Sequence, residues 1–234
     1  MSAEKIAVIG GTGDLGLGLA LRWGLAGAQV LIGSRDENKA RNAAAKVMEM
    51  IGGGTAAPSR NISVTGLENA AAAAQASIVV LAVPISAHVG ILKSIRSSIK
   101  NAILVDATVP LAAAIGGKPT RMLSLWQGSA AEQAREMAPP GIPVVAAFHN
   151  ISAVVLQDIS ATPECDILLC GDDQKSKEAV ASIVKLIPGL RPVDAGPLEM
   201  ARIAESITAL LISVNKRYGG AHCGIRITGL EGAV

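Results

Sequence analysis

Aromatic side chains are nearly absent from this 234-residue chain, which holds two Trp, one Tyr and one Phe. So few leave little with which to stack nucleic-acid bases, and a net charge of +2 gives no footprint for a polyanion or an anionic membrane. Cysteine is scarce as well. Cys165, Cys170 and Cys223 are odd in number and form no C-x-x-C pair, so a disulfide framework is not expected and a reducing, cytoplasmic setting is. The thiols are too scattered for a zinc site, no His pair has metal spacing, and no metal is expected. Charge is missing altogether from Ala70 to Leu92, but Gln75, Ser77, Pro84, Ser86 and His88 interrupt that run, so it is not expected to span a membrane. The opening Met-Ser-Ala-Glu-Lys leads straight into an apolar strand, with no sign of a signal peptide. Tyr218, the one tyrosine, has no lysine four residues on, which excludes a Tyr-x-x-x-Lys dehydrogenase.

Half the residues are apolar, and they fall into short runs separated by helical patterns. Strands are expected at 5–10, 29–34, 62–66, 77–83, 102–107, 142–148 and 166–171. Their near-continuous apolar character suits a parallel sheet covered on both faces. Helices are expected at 14–28, 37–51, 70–76 and 129–138, the last opened by a Ser129-to-Glu132 capping box. The longest helical pattern runs over 197–219, from Pro197 to Gly219. A loop is expected at 52–61 and a long one from Pro110 to Gly128. These elements predict an α/β, doubly wound, mostly parallel sheet over residues 1–195, followed by a C-terminal helix and tail over 196–234 that packs on the domain or on a second copy.

The first strand runs into Gly11-Thr12-Gly13-Asp14-Leu15-Gly16, a G-x-G-x-x-G string that opens a helix. In such a cradle Gly11 permits the tight turn, Gly13 lets the backbone approach a pyrophosphate, and Gly16 lets the helix pack close to the strand. The helix N-terminus offers unpaired N–H groups and the positive end of its dipole to the phosphates. This is the dinucleotide fingerprint of a Rossmann fold. About 20 residues on, NAD sites carry an acid for the ribose 2′-hydroxyl. Here the second strand ends Gly33-Ser34-Arg35, with Lys39 one helical turn later. A hydroxyl and two cations suit the 2′-phosphate of NADP(H), with Thr12 nearby, while Asp36 falls one residue late and is read as a helix cap. His149 closes the strand at 142–148, on the carboxyl edge where open α/β sheets bind ligands, and is the candidate catalytic group. His88, soon after Pro84, is a second candidate for the cofactor end, and His222 a weaker one. Asp172-Asp173 is read as a helix cap rather than a metal pair.

Several strings, in order, resemble one family. They are VIGGTGDLGLGLALR (8–22), GSRDENKA (33–40), AVP (82–84), SAAEQARE (129–136), CGDDQKSKEAV (170–180) and GLRPVDAGPLEMARIAESITALLI (189–212). Together they resemble the NADPH-dependent coenzyme F420 reductases. The resemblance implies hydride exchange between the nicotinamide C4 of NADP(H) and C5 of the deazaflavin coenzyme F420, stacked ring on ring. It implies 2′-phosphate contacts from Thr12, Ser34, Arg35 and Lys39, and a strand end beside the dinucleotide at Val83 and Pro84. It further implies a stretch at the two rings from His149 through Ile151 to Ala153, and a homodimer joined through C-terminal helices. The sequence departs from the family pattern at Asp14, where a relative carries Asn, and at Ile85, where a relative carries Trp. His149-Asn150-Ile151-Ser152 stands for a more usual His-Thr-Ile-Pro. Two other readings remain open: an NADPH-dependent reductase of another acceptor (a flavin, imine or carbonyl compound), and a non-catalytic NADP(H) sensor.

Overall fold

The computed structural model describes residues 4–52, 62–220 and 222–230. The expected loop at 52–61 therefore lies, beyond Gly52, outside the described residues. Eight strands form one sheet in the order β3-β2-β1-β4-β5-β6-β7-β8. They are β1 (Lys5–Ile9), β2 (Gln29–Ser34), β3 (Ser63–Glu68), β4 (Ile78–Leu81), β5 (Ile103–Asp106), β6 (Val144–Ala146), β7 (Cys165–Gly171) and β8 (Leu190–Asp194). All neighbouring pairs are parallel except β6 and β7. The expected doubly wound, mostly parallel sheet is thus the one found.

Helices cover both faces, as apolar runs on both sides of each strand require. One face packs against α1 (Asp14–Leu25), α2 (Glu37–Gly52), α6 (Ala153–Gln157) and α7 (Gln174–Lys185). There Trp23 of α1 meets Phe148 edge to face at 5.6 Å, and its indole N–H donates to the Ile183 carbonyl at 2.8 Å. The other face packs against α3 (Asn69–Ala73), α4 (Ile85–Ile95), α5 (Ala130–Met137) and the first turns of α8 (Ala201–Arg217).

Local rules fixed several ends as expected. Ser129 Oγ accepts from the Glu132 N–H at 3.0 Å, capping α5. Asp36 takes the N–H groups of Asn38 and Lys39, and Asp173 takes that of Ser176, so both are helix caps. Asp172 instead binds the Leu198 N–H and Arg135. Among the described residues no cluster of His, Cys, Asp and Glu could hold a metal ion, and no helix is long and apolar enough to cross a membrane.

Other boundaries differ. The strand expected at 142–148 stops at Ala146, because Phe148 turns into the left-handed region (φ 66°). The helix expected over 197–219 opens as a 3-10 turn at Leu198–Met200 and ends at Arg217. β8 is an element the periodicity did not give. It contains Pro192, which lacks an N–H and is tolerated because β8 is an edge strand.

Candidate active site

The chain winds from β1 outward to β3 and then returns to β4 on the other side of β1. Ile9 pairs with both Gly33 and Leu81, so the carboxyl ends of β1, β2 and β4 open a crevice at this reversal. A cavity of about 260 Å³ occupies it. Gly10, Thr12 and Gly13 line it from the loop after β1, and Ser34, Arg35, Asp36 and Lys39 from the end of β2 and the start of α2. Asn69, Ala82, Val83, Pro84, Ala87 and Ile91 close the remaining side.

The loop after β1 uses its glycines unevenly. The left-handed turn is made by Gly10 (φ 79°), not by Gly11 as the string suggested. A Cβ on Gly10 would lie 2.5 Å from the Ala82 carbonyl oxygen. Gly11 is required for a different reason, since its Cβ would meet Val8 O at 2.8 Å and Ile32 at 2.9 Å. A Cβ on Gly16 would strike Gly10 O and Gly11 Cα, both at 2.7 Å, so α1 sits directly on the loop. Gly13 is the exception: its Cβ would meet nothing closer than Gly10 O at 3.4 Å. It lies at the N-cap of α1 with no side chain capping the helix. An open, uncapped helix N-terminus beside a residue without a side chain suits an incoming phosphate. Asp14 and Leu15 form the first turn behind it.

The end of β2 carries polar groups that remain available. Ser34 is buried and its oxygen accepts from the Asp36 N–H at 3.2 Å, which leaves its O–H to donate. Arg35 and Lys39 are exposed, and neither side chain has a partner among the described residues. Asp36, the acid of this corner, is committed to capping α2. The donor set therefore fits a 2′-phosphate and not a bare ribose hydroxyl.

Residues 149–157 form a second wall against α1, outside the lining of the cavity itself. Gly18 lets α6 approach α1, since a Cβ there would be 2.7 Å from Leu156 Cβ. Gln157 donates to the Asp14 carbonyl at 2.8 Å. Buried Arg22 of α1 donates to the carbonyls of Val155, Leu156, Asp158 and Ala161, completing the C-terminal end of α6. Ile151 and Ala153 are half-buried on this wall, the latter's carbonyl beside Gly18 of α1. His149 is buried, and burial pushes its ring down to about 4, so it is neutral near pH 7. The Asp106 backbone and carboxylate offset only part of that burial effect, and among the described residues Nε2 has no hydrogen-bond partner.

His88 does not line the crevice. It is fully buried, with Nε2 2.6 Å from Asp106 and Nδ1 2.9 Å from Gln133. Burial opposes its charge, but Asp106 and Gln133 outweigh that and raise its pKa. His222 stands 3.4 Å from Ser152 Oγ, beside the second wall. Gly10, Asn69, Ala87 and Ile91 were not singled out from sequence. The doubled glycine at 10–11 was the signal for the first; the others are brought in only by tertiary packing.

A glycine loop at the reversal of a doubly wound sheet, with cations instead of an acid after β2, defines the class of NADP(H)-linked oxidoreductases. The comparisons are more specific. The family described as "NADP oxidoreductase coenzyme F420-dependent" matches residues 5–110. The F420-dependent NADP reductase of Methanothermobacter thermautotrophicus is 49% identical over 97% of this chain and 95% of its own. That of Methanothermobacter marburgensis is 46% identical over 97% of this chain and 99% of its own. The chain belongs to the F420-dependent NADP reductase family. A solved, provisionally named F420 dependent NADP-reductase from Arthrobacter sp. FB24 shares the fold, with TM-score 0.80 at 24% identity, covering 97% of this chain and 100% of that one.

Proposed function

We propose that this protein transfers a hydride between NADP(H) and coenzyme F420, with NADP(H) held in the crevice between β1, β2 and β4. Family membership carries the reaction, and the donors left available on Ser34, Arg35 and Lys39 support the choice of NADP over NAD. The two cofactors supply the redox chemistry, exchanging a hydride between nicotinamide C4 and deazaflavin C5 while one proton is taken up or released. The chain supplies placement. Gly13 and the α1 N-terminus receive the pyrophosphate. Thr12, Ser34, Arg35 and Lys39 bind the 2′-phosphate. Val83 and Pro84 support the dinucleotide, and the wall from His149 to Ala153 fixes the rings against each other. His149 contributes a neutral ring with Nε2 free to accept a hydrogen bond.

Residues 1–195 serve as the NADP-binding unit, and the arm from 196 joins two copies. In support, Ile203 and Leu210, one heptad apart on α8, are 56% and 61% exposed, a surplus of apolar surface on a helix end of the molecule. Cys165 and Cys170 are buried free thiols, pushed up by burial to about 11 and about 12, which suits a reducing cytoplasm.

The test is a spectrophotometric assay with NADPH and oxidised F420, following loss of deazaflavin absorbance. Turnover is expected, and Arg35→Ala should raise the NADPH KM with little change in kcat. A loss of about 2 kcal/mol, roughly 30-fold, is expected for one charge-assisted phosphate contact. NADPH binding without turnover would transfer the assignment to another acceptor or to a sensor.

A further inference from the structure

The Asn69 side chain is 1% exposed, lines the crevice, and has an Oδ1 with no hydrogen-bond partner. Among the described residues its amide makes no hydrogen bond at either end. A buried carboxamide left unpaired in a binding cleft calls for a partner that arrives later.

Its position indicates which part of the ligand that is. Asn69 directly follows Glu68, the residue of β3 paired in register with Ser34. Its Oδ1 faces Gly33 at the carboxyl end of β2, within the cavity that the glycine loop after β1 also lines. A dinucleotide with pyrophosphate at that loop and its 2′-phosphate at Ser34 and Arg35 places its adenosine end here. Gly33 makes the room: a Cβ on it would come within 2.9 Å of Asn69 Oδ1. Ala87 and Ile91 of α4 supply apolar surface on the same cavity, against which the face of a ring can lie.

We propose that Asn69 reads the adenine base of NADP(H). Adenine presents the N6 amino donor beside a ring-nitrogen acceptor, and a carboxamide presents an oxygen acceptor beside an amino donor at matching spacing. The two form a paired contact that satisfies both ends of the side chain. Asn69 thus selects the base, while Ser34 and Arg35 select the phosphate.

The inference rests on the NADP reading, and calorimetric titration of the full chain separates the two. Wild type, Asn69→Leu and Asn69→Ala are titrated with NADP and with its 1,N6-etheno derivative, whose bridged base has no N6 hydrogen to donate. Wild type should prefer NADP by about tenfold or more. Asn69→Leu should bind NADP more weakly and reduce that preference to within about threefold, with an unchanged melting temperature. Asn69→Ala preserves the comparison if the leucine variant misfolds. An equal preference in wild type and variants, or none in wild type, overturns the role of Asn69 alone. Failure of wild type to bind either nucleotide overturns the NADP reading, and this inference with it.

Discussion

His88 Nε2 lies 2.6 Å from the Asp106 carboxylate, and neither side chain reaches solvent. Glu205 of α8 sits near the pair and accepts the N–H groups of Ala130 and Ala131 at the start of α5. Burial pushes Glu205 from its ordinary 4.5 up to about 8, and His88 is raised from 6.5. Both therefore keep protons in the fold that the unfolded chain would release. His88 contributes stability that is complete below pH 6.5 and lost as pH rises through its folded value. Glu205 has the same sign, complete below 4.5 and gone above about 8. His149, with a pKa pushed down to about 4, contributes no slope above 6.5. Between about pH 6.5 and 8 the melting temperature should fall, by about 2–4 °C for each kcal/mol lost. Glu205→Gln, which cannot titrate, should flatten that fall; a melting temperature that rises with pH would contradict the arrangement.

Gly13 and Gly16 are three residues apart and should respond oppositely to alanine. A methyl on Gly16 meets backbone at 2.7 Å and should cost roughly 1–3 kcal/mol of stability. A methyl on Gly13 meets nothing closer than 3.4 Å, and its φ of −84° suits alanine. Gly13→Ala should melt like wild type and bind NADPH at least about tenfold more weakly, since its methyl occupies the pyrophosphate approach. Thermal melts and nucleotide titration on the two variants check this.

Arg22 satisfies four carbonyls at the end of α6. Arg22→Leu removes the side-chain donor from the Val155, Leu156 and Ala161 carbonyls, while the Asp158 carbonyl keeps the Ala161 N–H, and should destabilise by about 3 kcal/mol. The segment leading into α6 is the one proposed to hold the rings, so kcat should fall more than NADPH affinity. Urea unfolding and steady-state kinetics read the two effects separately.

Leu210 tests the pairing of two copies. Leu210→Lys places a charge on the exposed apolar row of α8 and should convert a dimer to a monomer by light scattering. Secondary structure should be unchanged, because Leu210 is not part of the core. A wild-type protein that is itself monomeric would refute the pairing.

The sheet was legible because its strands are apolar runs of strand length, and seven of the eight declared themselves that way. β8 did not, since Arg191, Pro192 and Asp194 break its apolar pattern; its place comes from α7 returning the chain beside β7. The polar corner at the end of β2 was legible because Ser34, Arg35 and Lys39 are local to one turn. The stretch from His149 to Ala153 was legible only through the family resemblance, and its supports were not, because Gly18 and Arg22 are ordinary helix residues in sequence and acquire their roles only when α6 arrives. His88 was misplaced for a related reason. Proximity to Pro84 suggested the crevice, whereas Asp106, 18 residues on, draws the ring inward.

The bonds from Arg22 to the end of α6 join residues 133 to 139 positions apart. α1, whose N-terminus opens the crevice, is therefore anchored on a segment more than 130 positions away, and the first half of the chain does not carry the crevice as a free-standing unit. A hybrid that joins the first half of this chain to the second half of a relative would keep the crevice aligned only where the close fit between Gly18 and Leu156 is kept.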